Sequence, residues 1–178
     1  YQIKYSVKDK SGNTASVLRT INVFDPNTNS GTIYLTFDDG PGAYTTQILD
    51  ILDKYNIKAT FFVTNNGSDE VLKEEYDRGH TIGLHTATHQ WSIYNSVSSY
   101  FDDLNSVQAR VERVTGKRSS YIRFPGGSSN TISRSRSKGI MTTLTGKVQE
   151  EGYKYFDWNV CVEDAGDCAK RNVSDREA

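Results

Sequence analysis

From residue 32 onward, the sequence alternates between short strand patterns and longer helical patterns. The strand patterns cover residues 32–37, 59–64, 81–85, 121–124 and 154–160, and the helical patterns cover residues 44–55, 69–78, 98–115, 131–138 and 142–151. Strands that alternate with helices usually pair in parallel and are covered by those helices, so the alternation predicts an α/β fold, either barrel-like or open. In both architectures the functional site lies at the carboxyl ends of the strands.

Acidic and imidazole side chains stand at the carboxyl ends of two of these strands. Asp38 and Asp39 follow the first strand, and His85 and His89 follow the third. Zinc and similar first-row ions accept imidazole and carboxylate ligands, and a catalytic site keeps one coordination position open. Both histidines and one of the aspartates therefore form a candidate metal site. The other aspartate would then be free to act as a base toward water.

The first 25 residues follow a different pattern, in which apolar and polar residues alternate on both sides of the turn sequence KDKSGN. This pattern predicts a β-hairpin. Two strands alone are marginally stable, so the hairpin requires a further sheet or the main domain to pack against. It resembles the last two strands of immunoglobulin-like repeats, which are β-sandwich domains found beside bacterial surface enzymes. Residues 26–31 then predict a linker, and residues 32–178 the main domain.

The amino-acid composition of the chain excludes several classes of binding partner. The 178 residues carry a net charge of -1 without blocks of lysine or arginine, so we expect no nucleic-acid partner. No apolar run is long enough to span a membrane. Cys161 and Cys168 are the only cysteines. They are either two free thiols or a short disulfide formed in an oxidising compartment, and no second Cys/His pair is near enough for a zinc knuckle.

Four motifs together resemble a known family. TFDDGP at residues 36–41, HTATH at 85–89, RFPGG at 123–127 and DWN at 157–159 are similar, in order and spacing, to the polysaccharide deacetylases of carbohydrate esterase family 4, the NodB-homology domains. The resemblance covers residues 31–165. It implies a distorted (β/α) barrel and metal-dependent removal of acetyl groups from polymers of N-acetylglucosamine.

The resemblance also implies a role for individual residues. It makes Asp38 the general base, which Arg123 orients. The backbone amide of Gly126 would donate to the oxyanion. The family often has an aromatic residue at that position, so a side-chain wall of the pocket is expected to be missing. The implied metal is zinc, with cobalt, manganese or nickel as alternatives, and its implied ligands are Asp39, His85 and His89.

The sequence leaves more than one role possible for several other positions. Trp158 either belongs to the core or lines an acetyl pocket, and Asp157 and Asp164 both lie near the position of an acid that tunes a catalytic histidine in the family. No histidine follows His89, although the family's last motif is a Leu-x-His that protonates the leaving amine. We therefore expect that motif, with the last strands of the barrel, beyond residue 178. The alternative is a catalytically impaired form.

The expected function is N-deacetylation of peptidoglycan by a monomeric enzyme at the surface of a Gram-positive bacterium or outside the cell. Removal of O-acetyl groups from acetylxylan is the alternative within the enzymes. A glycan-binding module without catalysis is the alternative from another class. A metal-dependent phosphatase is less favoured, because a second ion would require further carboxylates.

Overall fold

The computed structural model describes residues 2–8, 10–20 and 32–160. The chain divides into two compact units, residues 1–33 and residues 34–178. The predicted linker at 26–31, both cysteines and Asp164 lie outside the described residues. The predictions made for them stay predictions.

The first unit contains a two-stranded antiparallel sheet. Strand β1 spans Gln2–Lys8 and strand β2 spans Thr14–Thr20, with Gln2 opposite Thr20 and Lys8 opposite Thr14. The turn between them includes Gly12 at a φ of 92°, a conformation that glycine adopts without steric cost. The pairing is the one that the sequence pattern predicts. The origin of this hairpin in an immunoglobulin-like repeat stays a prediction.

The second unit is a parallel α/β sheet, which confirms the predicted class of fold. Within residues 32–160, five strands pair side by side in chain order, each with the next. In chain order the elements are β3 Thr36–Gly40, α1 Thr45–Lys54, β4 Thr60–Val63, α2 Asp69–Asp77, β5 Thr81–Leu84, a 3₁₀ helix Trp91–Asn95, α3 Val97–Thr115, β6 Tyr121–Ile122, α4 Ile132–Arg136, α5 Ile140–Glu150 and β7 Lys154–Tyr155.

Three strands have at least one end that lies two or more residues from the bound that the sequence predicts, whereas the ends of β4 and β5 lie within one residue of it. β3 begins at Thr36 because its first partner in β4 is Thr60, and residues 32–35 precede the paired region. β6 contains only two residues, since the chain turns at Pro125 and the glycines after it. β7 pairs with β6 and is therefore equally short. The 3₁₀ helix was not predicted, because five residues are too few to show a helical period.

Side-chain caps fix the ends of the helices beside the site. Ser68 Oγ accepts a hydrogen bond from the backbone N–H of Val71 at 3.3 Å, so Ser68 is the N-cap of α2. Ser96 caps α3 in the same way through Ser99. Gly116 follows the last residue of α3 and ends the helix in the left-handed conformation with a φ of 75°.

The hydrophobic core lies between one face of the sheet and its helices. Phe37 of β3 and Phe61 of β4 stack there, with ring centroids 5.1 Å apart. Helix α3 contributes apolar residues spaced by four, three and four positions, as its sequence pattern predicts. The fully or nearly fully buried apolar residues include Leu49, Leu52, Leu72, Leu84, Tyr100, Leu104, Val107, Val111, Ile122, Leu144 and Val148.

Candidate metal centre

An irregularity in β3 allows two consecutive aspartates to face the same site. Asp38 pairs with Phe62 and Gly40 pairs with Val63, so Asp39 is an extra residue in the ladder. Its φ of 67° is left-handed, a conformation that aspartate tolerates better than most residues. Neighbouring residues of a regular strand point to opposite faces, and a bulge changes that direction. The bulge therefore brings the Asp39 carboxylate to the histidines while Asp38 faces Arg123.

The two histidines lie at the ends of a tightly constrained turn after β5. The backbone N–H of His85 donates to the carbonyl of Val63 at 2.8 Å, which extends the pairing of β5 with β4. Thr86 and His89 both have left-handed φ values, 62° and 54°. Such values are uncommon for residues other than glycine and concentrate at functional sites.

Asp103 of α3 holds this turn in place. Its Oδ1 accepts hydrogen bonds from the backbone N–H groups of Ala87 at 2.6 Å and Thr88 at 3.0 Å, and its Oδ2 accepts one from Thr88 Oγ1 at 2.8 Å. Sequence reasoning did not identify Asp103, because an acid within a helix is most often a solvated surface residue. Its position fixes the backbone between the two histidines.

Asp39, His85 and His89 each present one ligand atom, and these atoms lie within 4.8 Å of one another. Asp39 Oδ1 is 3.6 Å from His85 Nε2 and 3.5 Å from His89 Nε2. Ligands of a tetrahedral zinc ion, with bonds of about 2.0–2.1 Å, are separated by roughly 3.4 Å. The spacing is too long for good hydrogen bonds and suits ligands around an ion. The donor set therefore fits a divalent cation.

The surroundings of His85 favour the form that binds a metal. Its Nδ1 lies 2.7 Å from the carbonyl oxygen of Arg123, which can only accept, so Nδ1 carries the proton and Nε2 presents a lone pair toward Asp39. Burial lowers the pKa of His85 below its ordinary value, although the carboxylates of Asp38 and Asp39 oppose this shift. The ring is thus neutral near pH 7.

Arg123 follows β6, yet its side chain contacts Asp38 of β3, with β4 and β5 between the two strands. Its Nη1 donates to Asp38 Oδ1 and to Thr36 Oγ1, both at 2.8 Å, and its Nε donates to the carbonyl of Phe156 at 3.1 Å. Strands β3 and β6 are three positions apart, roughly 14 Å in a flat sheet. The contact therefore requires a strongly curled sheet. Closure into the predicted barrel stays a prediction.

Two aromatic rings enclose the Arg123 guanidinium. Its Cζ lies 4.3 Å from the ring centroid of Phe62 and 4.8 Å from that of Trp158. A planar guanidinium stacks well on aromatic faces. Trp158 is 41% exposed, so it is not a core residue and lies at the surface of the site.

Gly126 and Gly127 form the turn after the Arg123 strand. Their φ values are 75° and 84°, and Gly127 N–H donates to the Phe124 carbonyl at 2.8 Å. The expectation that a side-chain wall of the pocket is missing at Gly126 stays a prediction. A Cβ at Gly126 would lie 3.3 Å from Cη2 of Trp91, so the indole of another element takes up that space. Sequence reasoning missed Trp91 because it lies in the unpredicted 3₁₀ helix.

Two further predicted positions have clear contacts. Asp157 accepts a hydrogen bond at Oδ1 from the backbone N–H of Ser128 at 2.9 Å and one at Oδ2 from the Ser128 hydroxyl. It therefore braces the turn after Gly127, and its role as a tuning acid stays a prediction. His80 lies just before the strand pattern at residues 81–85, so we expect a structural role for it from the sequence; it is buried, and its Nδ1 accepts a hydrogen bond from the Ala59 N–H at 3.2 Å, which agrees with that role.

The fold and the donor set place the chain in a class of α/β proteins with an open Asp-His-His site at the carboxyl ends of a parallel sheet. The sequence profile of the polysaccharide deacetylase family matches residues 25–143. The chain therefore belongs to that family, the NodB-homology domains of carbohydrate esterase family 4. This membership confirms the resemblance that the four motifs indicated.

Individual relatives are similar over most of the chain. A crystal structure of the catalytic domain of peptidoglycan N-acetylglucosamine deacetylase from Eubacterium rectale superimposes with a TM-score of 0.73 at 48% identity, covering 80% of this chain and 69% of that one. A peptidoglycan-N-acetylglucosamine deacetylase of Bacillus cereus is 34% identical over 71% of this chain and 45% of its own length. A peptidoglycan-N-acetylmuramic acid deacetylase of Bacillus subtilis is 33% identical over 75% of this chain and 51% of its own.

The chain spans about half the length of the curated relatives that it matches. Within residues 2–8, 10–20 and 32–160, no helix has both the length and the apolar character that crossing a membrane demands. The structure brings together Asp38, Asp39, His85, His89 and Arg123. The roles of these residues in a reaction stay predictions.

Proposed function

We propose that this chain is the catalytic part of a metal-dependent deacetylase that hydrolyses the N-acetyl groups of N-acetylglucosamine residues in peptidoglycan. The observation that carries the proposal is the convergence of Asp39, His85 and His89 beside the ion pair between the partly buried Asp38 and the buried Arg123. The names and similarity of the relatives from Eubacterium rectale and Bacillus cereus support the choice of glycan.

Asp39, His85 and His89 would hold one divalent cation, most suitably zinc, because one carboxylate and two imidazoles are a typical zinc donor set. The cation would supply Lewis-acid chemistry, which polarises a carbonyl group and makes water more acidic. The carbonyl of Arg123 fixes the ring of His85, so the donor set is organised before any ligand arrives.

Asp38 is positioned to accept the proton of the attacking water. Among the described residues its hydrogen bonds involve only Oδ1, which leaves Oδ2 free to contact solvent. The hydrogen bond from Arg123 keeps this carboxylate in one orientation. Stacking on Phe62 in turn fixes the orientation of the Arg123 guanidinium. The backbone N–H of Gly126 would donate to the oxygen of the acetyl group as negative charge develops there. The water oxygen would bond to the acetyl carbon, the C–N bond would break, and the leaving nitrogen would take up the proton that Asp38 had accepted, which yields acetate and a free amine on the sugar.

We also infer the cellular setting of this activity. A peptidoglycan substrate and a hairpin that resembles repeats of bacterial surface enzymes both favour a site at the cell wall or outside a Gram-positive cell. A monomer suffices, because all of the predicted site residues belong to one chain. The net charge of -1 favours a glycan over a polyanionic partner.

Release of acetate tests this function directly. The full-length protein, stripped with a chelator and reloaded with zinc or cobalt, is incubated with N-acetylchitotetraose, with peptidoglycan and, in parallel, with acetylated xylan. We expect acetate from the two N-acetylated substrates, no acetate before reloading, and none from a reloaded Asp38→Asn variant.

The other outcomes separate the alternatives. Faster release from acetylated xylan would favour an O-deacetylase. Binding of the oligosaccharide without acetate under every metal would favour a glycan-binding module. Either result would overturn N-deacetylation as the activity of this chain.

A further inference from the structure

The two tryptophans of the chain face the two consecutive glycines of the site. A Cβ at Gly126 would lie 3.3 Å from Cη2 and 3.4 Å from Cζ3 of Trp91, and a Cβ at Gly127 would lie 3.2 Å from Cζ3 of Trp158. The sequence contains no other tryptophan. Each glycine thus lies close to one indole that is remote in sequence, and Asn130 and Asp157 are the other near neighbours, at 3.1 Å from a Cβ at Gly126 and 3.3 Å from a Cβ at Gly127.

Trp91 is held in a defined position by its own element. Its ring lies nearly parallel to that of Tyr94, with centroids 6.4 Å apart and an interplanar angle of 24°. Tyr94 is fully buried, and its hydroxyl donates to the carbonyl of Pro125 at 2.7 Å. This bond ties the 3₁₀ helix to the turn that contains Gly126, so Trp91 and that turn form one rigid arrangement.

The same indole borders the candidate metal centre. The rings of Trp91 and His89 meet edge to face, with centroids 5.7 Å apart and an interplanar angle of 63°. Trp91 is only partly buried, and Trp158 is 41% exposed. Both indoles therefore reach the surface of the site, one on each side of the glycine pair.

We propose that Trp91 is a substrate-binding residue whose indole contacts the apolar face of the sugar ring that carries the acetyl group. An indole offers a large rigid apolar surface at low entropic cost, which suits the C–H face of a pyranose ring. The backbone of Gly126 approaches this indole closely, since a Cβ there would lie 3.3 Å from Trp91 Cη2, and it approaches Asn130 as well, whose Cβ would be 3.1 Å away. The inference rests on the proposed function and adds to it the residue that selects the sugar.

Intrinsic fluorescence can isolate Trp91, because a Trp158→Phe protein has Trp91 as its only tryptophan. Zinc-loaded protein carrying Trp158→Phe and Asp38→Asn, which prevents turnover, is titrated with N-acetylchitotetraose while calorimetry measures binding independently. We expect a saturable change of Trp91 emission with the same midpoint as the calorimetric binding. Binding by calorimetry without a change of emission would overturn the inference and leave the proposed function intact. Absence of binding in both measurements would contradict the proposed function and the inference with it.

Kinetics of the otherwise natural chain give a second measurement. Trp91→Ala should raise the KM for N-acetylchitotetraose by about two- to tenfold, the range measured for aromatic contacts, with kcat within about twofold. Trp91→Phe should recover part of the loss. A purely structural role would instead lower kcat or the zinc content and leave KM unchanged, which would overturn the inference.

Two alanine substitutions test the reason for the glycine. Gly126 and Gly139 have similar φ values, 75° and 80°, but a Cβ at Gly139 has no heavy atom within 4 Å. Gly126→Ala in the Trp158→Phe protein should shift Trp91 emission and weaken binding, whereas Gly139→Ala shares the backbone strain and should do neither. Equal emission and affinity in the two variants would overturn the packing argument.

Discussion

Arg123 connects more parts of the site than any other single residue we have described. It is 2% exposed, and its guanidinium bonds to Asp38, Thr36 and the carbonyl of Phe156. A buried charge is tolerable only when it is paired and its donors are satisfied. The stacking on Phe62 and Trp158 depends on a planar group, which lysine lacks.

We therefore expect Arg123→Lys to reduce kcat by about 100-fold, because Asp38 loses its fixed orientation. Zinc affinity should change by less than about threefold, since the contact to His85 uses the backbone carbonyl and survives the substitution. Steady-state kinetics and a zinc titration measure both quantities. The exposed Arg134→Lys is the matched control, and an Arg123→Lys enzyme as active as this control would contradict the assigned role.

At the scale of single residues, the sequence predicts the site in part. Asp38, Asp39, His85 and His89 could be found because parallel strands bring their carboxyl ends together. Asp103 and Trp91 could not be found, because their contacts join segments whose relative positions only the folded chain defines. Asp157 was named from its motif, but its contact with Ser128 could not be predicted for the same reason.

At the scale of the elements, strands β3, β4 and β5 each contribute one residue to a row of paired positions that borders the site. Asp38 pairs with Phe62, and Phe62 pairs with Gly83, so the three side-chain positions lie in one row on one face. A Cβ at Gly83 would be 2.4 Å from Cδ1 of Phe62. The glycine therefore makes room for the ring that supports Arg123.

Gly83→Ala should consequently destabilise the protein by about 1–3 kcal/mol, the usual effect of overpacking, and should lower turnover by displacing Phe62 from Arg123. Urea unfolding and acetate release measure the two effects. Gly146→Ala in α5 is the control, because a Cβ there meets no heavy atom within 4 Å and helix propensity should stabilise by about 0.5–1 kcal/mol. Equal stability of the two variants would show that the row is not tightly packed.

The bulge at Asp39 could not be predicted from the sequence pattern of β3. A regular alternation would direct Asp38 and Asp39 to opposite faces of the sheet, whereas the structure inserts Asp39 as an extra residue with a left-handed φ. Nothing in the local hydrophobic pattern indicates such an insertion. The helices were easier to predict, since caps such as Ser68 and Gly116 and an apolar period mark them in the sequence.

At the scale of the whole molecule, the buried Glu75 makes the free energy of unfolding depend on pH. Its side chain is fully buried, and neither carboxylate oxygen has a hydrogen-bond partner in the part of the chain that the structure describes. Burial raises its pKa to about 8, which the charge of Arg110 opposes and that of Glu74 increases slightly. The folded chain thus keeps a proton that the unfolded chain releases near pH 4.5.

Because the folded state binds more protons between pH 4.5 and about 8, stability should fall as pH rises through this range, by up to about 4 kcal/mol from this group. Glu75→Gln should remove this contribution, so that the variant becomes more stable relative to the natural chain as pH increases. Urea unfolding at pH 5, 6.5 and 8 measures the difference. The exposed Glu150→Gln should keep the natural pH dependence, and a Glu75→Gln protein that behaves like it would contradict the burial argument.

The order of strands and helices in the α/β unit could be predicted from the sequence, because each element carries its own period. The curl of the sheet could not, since it depends on contacts such as that between Arg123 and Asp38, which are 85 residues apart. Short strands are also poorly predicted, because β6 and β7 contain two residues each and their ends depend on the partner strand.

The central claim is that Asp39 and the two histidines hold one cation, and that Asp38 does not. Zinc content by plasma emission after dialysis tests it in the natural chain and in Asp39→Ala, His85→Ala and Asp38→Asn. The account predicts about one zinc ion per chain for the natural protein and for Asp38→Asn, and almost none for the other two variants. An Asp39→Ala protein that keeps its full zinc content would contradict it.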